Sequence, residues 1–438
     1  MKSILLNILP ISLIILTVFS VQQWLKIPVS STFIVWGLDF FILYIILRFI
    51  QQAPHSIQRT IQRYDLYVIN IFMIWTLFNC IRGGIIADNY WEWKQLITGM
   101  LTLSLPLFIF IFSIPVILNI TLYYWFKFAL IIFVCLLPFM GTQAYHFYLG
   151  PLFLVGCFIP LLPSKWKIVI TGLLVVMVVI NLGARSQVLK ALMVLFVALG
   201  VYYKRFFSIK IFHIILWSCY LIPIILLFLG ISGKFNIFED LASHKGKYTE
   251  SKVVGGKIVE EDLSADTRTF IYKEVITSAV KHHYVIWGRT PARGNDSMAF
   301  GKYTADELKT GKYERHSNEV CHPNVFTWLG LIGVVLYSLI YLRSSYLAVY
   351  KSKNIYMKFL GCFIAFRWAY GWVEDFNRFD IMNISLWMMI AMGISISFRD
   401  MTNVKFRRWI KNIFITGNEI KTYRFLNKKL DYADRNNF

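Results

Sequence analysis

Residues 211–230 read IFHIILWSCYLIPIILLFLG, twenty positions without a Lys, Arg, Asp or Glu. At about 1.5 Å of rise per residue, such a helix matches a bilayer's hydrocarbon thickness of about 30 Å. Apolar on every side, it needs lipid or a large protein core around it. Working outward, similar runs lie near residues 4–21, 32–50, 66–81, 96–112, 120–140, 145–162, 168–183, 187–203, 324–342, 356–373 and 381–397. The expected fold is therefore an all-α integral membrane protein with about 12 transmembrane helices. The 96–140 stretch could be re-entrant, so eleven to thirteen spans fit. The first run is expected as a span rather than a cleaved signal, since no small-x-small site follows it. Composition agrees, with 57% hydrophobic residues against 16% charged. A soluble domain carries nearer a quarter charged residues. Aromatics, at 17%, suit interfacial belts.

The net charge of +21 is distributed by topology. With the N-terminus in the cytoplasm, the cytoplasmic segments and tail hold 23 Lys and Arg, and the short opposite loops hold six. That asymmetry is the positive-inside signal. It places both termini in the cytoplasm and residues 231–322 outside, in the periplasm of a Gram-negative cell. That segment is close to neutral, with 14 basic and 13 acidic residues. The reading divides the chain into an N-terminal bundle of about nine spans (1–230), an outer loop of short helices between spans 9 and 10 (231–322), three C-terminal spans (323–397) and a basic tail (398–438). A nucleic-acid partner would need a concentrated basic face, and only the tail offers one. There Lys405, Arg407, Arg408, Lys411, Lys421, Arg424, Lys428 and Lys429 interleave with Trp409, Phe414 and Phe425, as expected of an amphipathic helix on anionic membrane lipid. The six cysteines form no CxxC pair and read as small core residues.

The outer loop carries the chemistry-bearing residues. In Asp266-Thr267-Arg268-Thr269, Asp266 or Thr267 can cap a helix whose buried face is Phe270, Ile271, Val275, Ser278 and Ala279. Arg268 then stands in a first turn, where a cation opposes the helix dipole unless an anion sits between them. The rival reading is a solvated surface arginine. Gly288-Arg289-Thr290-Pro291-Ala292-Arg293-Gly294 sets two guanidinium forks four residues apart, suited to phosphate oxygens or to a plain basic turn. Glu314-Arg315-His316-Ser317-Asn318-Glu319 through His322 precedes the run ending Gly330-Leu331-Ile332-Gly333. His316, Glu319 and His322 are acid–base candidates at a membrane boundary. Two imidazoles six residues apart make a weak metal signal, so no metal is expected. Arg185, in Asn181-Leu182-Gly183-Ala184-Arg185-Ser186-Gln187, separates two apolar runs, either as a functional cation or snorkelling at a helix end. Arg82 and the set Arg367, Glu374, Asp375, Asn377 and Arg378 fall on the same side, some expected as structural ion pairs. No P-loop, GxGxxG or HExxH is present. Arginines gathered at one membrane face with a few acid–base groups suit a lipid-borne pyrophosphate as leaving group, and no cofactor is then required.

These segments resemble the O-antigen polymerase and O-antigen ligase superfamily. The resemblance rests on Gly183-Ala184-Arg185-Ser186, Asp266-Thr267-Arg268, Trp287-Gly288-Arg289 and the stretch from His316 to Gly333, in that order along a similar topology. One departure stands out. The family's His is followed directly by Asn, about eleven residues before Gly-x-x-Gly, and that position is Glu319 here. The resemblance implies an all-helical bundle with the loop packed over an outer cavity. It implies Arg185 and Arg268 as pyrophosphate ligands, with Arg289 as a third, and a base among His316, Glu319 and His322, taken in that order; Arg293 stays a pyrophosphate candidate from the paired forks alone. The implied reaction is metal-independent glycosyl transfer from an undecaprenyl-pyrophosphate-linked glycan at the outer face of the bacterial inner membrane. A polymerase uses a lipid-linked repeat unit as acceptor, and a ligase uses lipid A–core. Polymerase is the favoured expectation. A transporter or lipid-linked glycan flippase is the rival, against which stand the absent internal repeat and the outer-face clustering of charge.

Overall fold

The computed structural model describes residues 2–27, 29–180, 185–231, 249–254, 257–262, 269–298 and 300–415. Among them, seven helices are long and apolar enough to cross a bilayer: Thr32–Gln52, Arg63–Ile86, Tyr90–Phe112, Pro115–Phe139, Arg185–Tyr202, Ile209–Leu229 and Cys321–Tyr350. The protein is an all-α, multi-pass integral membrane protein. Shorter apolar helices, among them Lys2–Phe19, Ser164–Val179, Ile355–Tyr370 and Ile381–Ile394, complete the bundle.

One expected span takes a different form. Residues 145–162 break into the short helices Tyr145–Tyr148, Pro151–Gly156 and Ile159–Leu161. Pro151 and Pro160 each stand at the start of one of these short helices, where a missing N–H costs nothing. The 96–140 stretch forms two long apolar segments, Tyr90–Phe112 and Pro115–Phe139, the second widening to a π-turn at Trp125–Ala129.

Helix Ile381–Ile394 is the axis of the fold, and every one of its residues is buried. Its start is fixed by Asp380, whose side chain accepts from Asn383 N at 2.8 Å. Asn89 and Asn354 cap the Tyr90 and Ile355 helices in the same way. Cys321–Tyr350 and Ile355–Tyr370 pack against this axis, while Leu77, Ile81 and Ile85 of the Arg63–Ile86 helix stay exposed. In a membrane protein that exposure faces lipid.

The basic C-terminal helix, Asn403–Ile415, does not turn its apolar face to the membrane. Phe406, Trp409, Ile410 and Ile413 are buried in the bundle. Trp409 Nε1 donates to the Pro115 carbonyl, and Asn119 Nδ2 donates to the Trp409 carbonyl, both at 2.9 Å. Burying the aromatic face against protein outweighs the expected lipid contact. Lys421, Arg424, Phe425, Lys428 and Lys429 lie outside the described residues.

The described part of residues 231–322 differs from the expected set of short helices. It holds one helix, Thr269–Lys281, and two antiparallel ribbons, Thr249–Val254 with Lys257–Asp262 and Asn295–Asp296 with Glu314–Arg315. Ile271, Val275, Ser278 and Ala279 form the buried face of the helix, as their spacing predicts.

Candidate functional site

Four separate segments close around one cavity of about 430 Å³. Gln95, Thr98 and Thr102, on one face of the Tyr90 helix, form its first wall. Ser186 and Gln187, in the first turn of the Arg185 helix, form the second. Ser317, Asn318 and Glu319 contribute with Trp328 from the outer segment and the helix after it. Glu374, Asp375, Asn377 and Arg378, in the link before the axial helix, complete it.

A lattice of amides holds these walls together. Asn318 Nδ2 donates to Asn295 Oδ1 at 2.8 Å, and Asn318 N donates to Asn324 Oδ1 at 2.6 Å. Asn324 Nδ2 bridges to the Asn318 carbonyl at 2.9 Å and to Asp375 Oδ1 at 3.3 Å. Asn377 Nδ2 donates to the Cys321 carbonyl at 3.0 Å, and Cys321 N donates to the Glu374 carbonyl at 3.0 Å. Buried Asn318 Oδ1 has no partner among the described residues, and the bonds made by the other groups rigidify the rim.

The three acid–base candidates divide sharply. Glu319 lines the cavity with its side chain 61% exposed, its carboxylate 3.5 Å from Arg315 Nη2. His316 turns its ring inward, where neither nitrogen has a partner among the described residues. Burial holds its pKa below the usual imidazole value, although Glu314 and Glu92 pull the other way. Only its carbonyl supports the site, accepting from Gln95 Nε2 and Trp328 Nε1, both at 3.3 Å. His322 is buried under Trp368 and Trp372, and its Nε2 donates to the Trp368 carbonyl at 3.0 Å. Its position makes it a packed structural histidine. Of the three, Glu319 is the one whose residue lines the cavity.

The arginines divide too. Arg289 and Arg293, expected at an anion, instead clasp carboxylates away from the cavity. Arg293 makes a two-pronged fork to Glu314, and Arg289 reaches Glu314 at 2.9 Å and Asp296 at 3.2 Å. Burial would raise the Glu314 pKa, but the Arg293 fork and Arg289 outweigh it and hold it below the usual value. Arg185 is exposed at the head of its helix, with no acidic partner among the described residues. Arg378 is also exposed, lines the cavity and lies over the Phe147 ring at 5.6 Å. Arg268 lies outside the described residues, as do Asp266, Thr267, Gly183 and Ala184.

Behind the cavity wall sits a buried ionic set. Glu374 Oε1 is 2.6 Å from Lys190 Nζ and accepts from Gln187 Nε2 at 3.3 Å, and its other oxygen is 3.3 Å from Arg367 Nη1. The sequence placed Arg367 and Glu374 in one cluster, some of it expected as structural ion pairs, and left Lys190 as an isolated cation within a span. Nothing in the spacing joins Lys190 to Glu374, far apart along the chain. Among the described residues, no three His, Cys, Asp or Glu side chains gather so as to hold a metal ion.

Two of the sequence motifs prove to be one structural unit. The Cys321–Tyr350 helix breaks at Gly330, with φ 68° and ψ −169°. Into that break docks the Trp287-Gly288-Arg289 turn, with Gly288 at φ 73°. Arg289 N donates to the Thr327 carbonyl at 2.7 Å, and Leu331 N donates to the Val285 carbonyl at 2.8 Å. A Cβ on Gly330 would stand 2.2 Å from the Ile286 carbonyl oxygen, so both glycines are needed for the close approach.

Comparison with known proteins finds no matching family model, no matching curated protein and no matching solved structure.

Proposed function

We propose that this protein is a glycosyltransferase of the O-antigen polymerase and ligase type, moving a glycan from undecaprenyl pyrophosphate to an acceptor sugar at the outer face of the bacterial inner membrane. The observation that supports this most is the convergence of Ser186 and Gln187, Ser317 to Glu319, and Glu374 to Arg378 on one polar cavity of about 430 Å³. Amides, hydroxyls and the Trp328 edge suit a saccharide, whose hydroxyls both donate and accept. In this reading about twelve spans cross the membrane, both termini are cytoplasmic and the loop between spans nine and ten is periplasmic, as the charge asymmetry implies.

Glu319 is assigned as the base. An acceptor hydroxyl oxygen bonds to the donor's anomeric carbon while its proton passes to the Glu319 carboxylate. The anomeric C–O bond breaks, and its electron pair leaves with undecaprenyl pyrophosphate. Arg378 and Arg185 stabilise the charge growing on that group, with Arg268 as a third cation by resemblance. The bond energy comes from the donor, and the chemistry requires no metal or cofactor. Polymerase is favoured over ligase on the resemblance alone. Purified protein given only an undecaprenyl-pyrophosphate-linked repeat unit should yield a ladder of lengthening glycans. A single product formed only with lipid A–core would make it a ligase. No product with either acceptor, from folded protein, would remove the transferase reading.

One observation favours transport as a second reading. Lys190, Glu374 and Arg367 are joined inside the bundle, and buried Asp39 and His146 carry ring or carboxylate atoms without partners among the described residues. Ionisable groups buried in a membrane often mark a transport path. Translocation of a lipid-linked glycan in protein-loaded vesicles, without any glycan elongation, would establish it.

A further inference from the structure

The segment joining the Thr269–Lys281 helix to the second ribbon does not pass above the membrane. Trp287 packs against Trp75 and Phe78 of the Arg63–Ile86 helix, with ring centroids 5.4 and 6.5 Å away. Arg82 Nη1 donates to the Trp287 carbonyl at 3.2 Å. Trp75 lies about 10 Å along the helix from Arg82 toward the middle of the span. Trp287 therefore sits at the depth of apolar residues, inside the layer that Arg82 marks.

Backbone at that depth must find its hydrogen bonds within the protein. The break at Gly330 supplies partners for two of the turn's carbonyls. Leu331 N and Ile332 N donate to the Val285 and Ile286 carbonyls at 2.8 and 3.4 Å, and just after the turn Thr290 N donates to the Trp328 carbonyl at 3.1 Å. The carbonyls of Val285 and Ile286 are thus paired on the protein side. Its side chains are not covered: Ile286 is 54% and Trp287 51% exposed, and Val285 is partly open as well. They continue the exposed apolar surface of Leu77, Phe78, Ile81 and Ile85 on one side and of Leu331 and Val335 on the other. That surface belongs to two membrane-spanning helices.

We infer that the Val285–Trp287 turn is sunk into the bilayer and that lipid acyl chains cover Val285, Ile286 and Trp287. The outer segment is then anchored in the membrane at its middle, independently of the chemistry proposed for the cavity. Two further features fit this placement. The turn carries no charged side chain, and His282 and Lys281, just before it, are drawn instead to Asp296 at 2.8 and 2.7 Å.

Spin labels test the inference. In full-length protein in lipid nanodiscs, Cys135 and Cys219 are replaced by serine, the other four cysteines being buried. Labels are placed through Val285→Cys and Ile286→Cys. Ile74→Cys, exposed near the middle of the span, serves as the lipid reference and Lys302→Cys on the outer segment as the aqueous one. At 285 and 286, collisions with oxygen should outweigh those with a water-soluble nickel chelate, as at 74, and the order should reverse at 302. Nickel access at 286 equal to that at 302 overturns the inference. Loss of both collision signals at 286 also overturns it, because protein then covers the turn. A measurement without any substitution uses a lipid with a diazirine in its acyl chain. After irradiation, the peptide spanning 285–287 should carry adducts, and an unlabelled peptide beside labelled peptides of the Arg63–Ile86 helix would sink the idea.

Discussion

Lys190 Nζ lies 2.6 Å from Glu374 Oε1, and their side chains are only 2% and 6% exposed. One residue comes from a span and the other from the link before the axial helix, so the pair ties the cavity's back wall to the bundle. Removing one partner of a buried pair leaves an uncompensated charge, which typically costs about 3–5 kcal/mol. Lys190→Met should destabilise the protein by roughly that amount, softened by the remaining Arg367 contact. Lys190→Met with Glu374→Gln should recover part of the loss. Thermal unfolding in nanodiscs reads both, and equal stability of Lys190→Met and the parent would show that the pair is energetically idle.

Glu319 and the two histidines separate chemistry from packing. Glu319→Gln keeps the shape and changes little in stability, since the side chain is mostly exposed. Its turnover should fall by a factor of about 10² or more, the usual share of a general base. His316→Gln should retain most of its turnover. Glycan product formed per minute, with folding checked by size exclusion, distinguishes them. A fully active Glu319→Gln with a dead His316→Gln would reverse the assignment.

Arg378→Ala and Arg185→Ala should lower turnover with unchanged membrane abundance, because neither side chain has an ionic partner to lose among the described residues. Arg293→Ala should instead lower stability, by at most about 3 kcal/mol, since it removes the fork on buried Glu314 and leaves it only Arg289. Chelation with EDTA should leave the rate of the parent unchanged. Inhibition reversed by a divalent ion would require a metal in the mechanism.

Gly330→Ala places a Cβ in a backbone region reserved for glycine and against the Ile286 carbonyl oxygen. The backbone strain alone is about 1–3 kcal/mol, and the clash adds to it. The variant should unfold at lower temperature and release the Val285–Thr290 turn to faster hydrogen exchange. A variant as stable as the parent would mean the turn does not depend on the break.

Asp296 gives a pH signature. Burial would raise its pKa, but hydrogen bonds from Lys281 and His282 and the nearby Arg289 bring it down to about 2. A carboxyl depressed in the folded state adds stability that is complete above its unfolded pKa, about 3.9, and is lost as pH falls toward 2. The sign for buried, neutral His316 is the same, loss on acidification. Hydrogen exchange in 269–298, corrected for the intrinsic rate, should accelerate between about pH 4 and 2 in the parent. Asp296→Asn should start faster and lose that acid step. An identical acid step in the variant would remove Asp296 as its source.

The sequence by itself determined the solvent. Runs such as 211–230 hold no charge over a membrane's thickness, and only a helix satisfies its own backbone there, so the multi-pass all-α fold was legible from hydropathy alone. The buried face of the Thr269–Lys281 helix was legible for the same reason, since spacing along one helix fixes which residues share a side. The sequence also brought residues 185–187, 316–319 and 374–378 forward one segment at a time. Only the tertiary structure decided how they divide. It turned Glu319 to the cavity and His316 and His322 away, gave Arg289 and Arg293 to Glu314, and left Arg378 open. It also joined Lys190 to Glu374 and Gly288 to Gly330. Periodicity reports the neighbours of a residue along its own helix, whereas a partner hundreds of residues away is set by how the helices pack, and no local pattern encodes it.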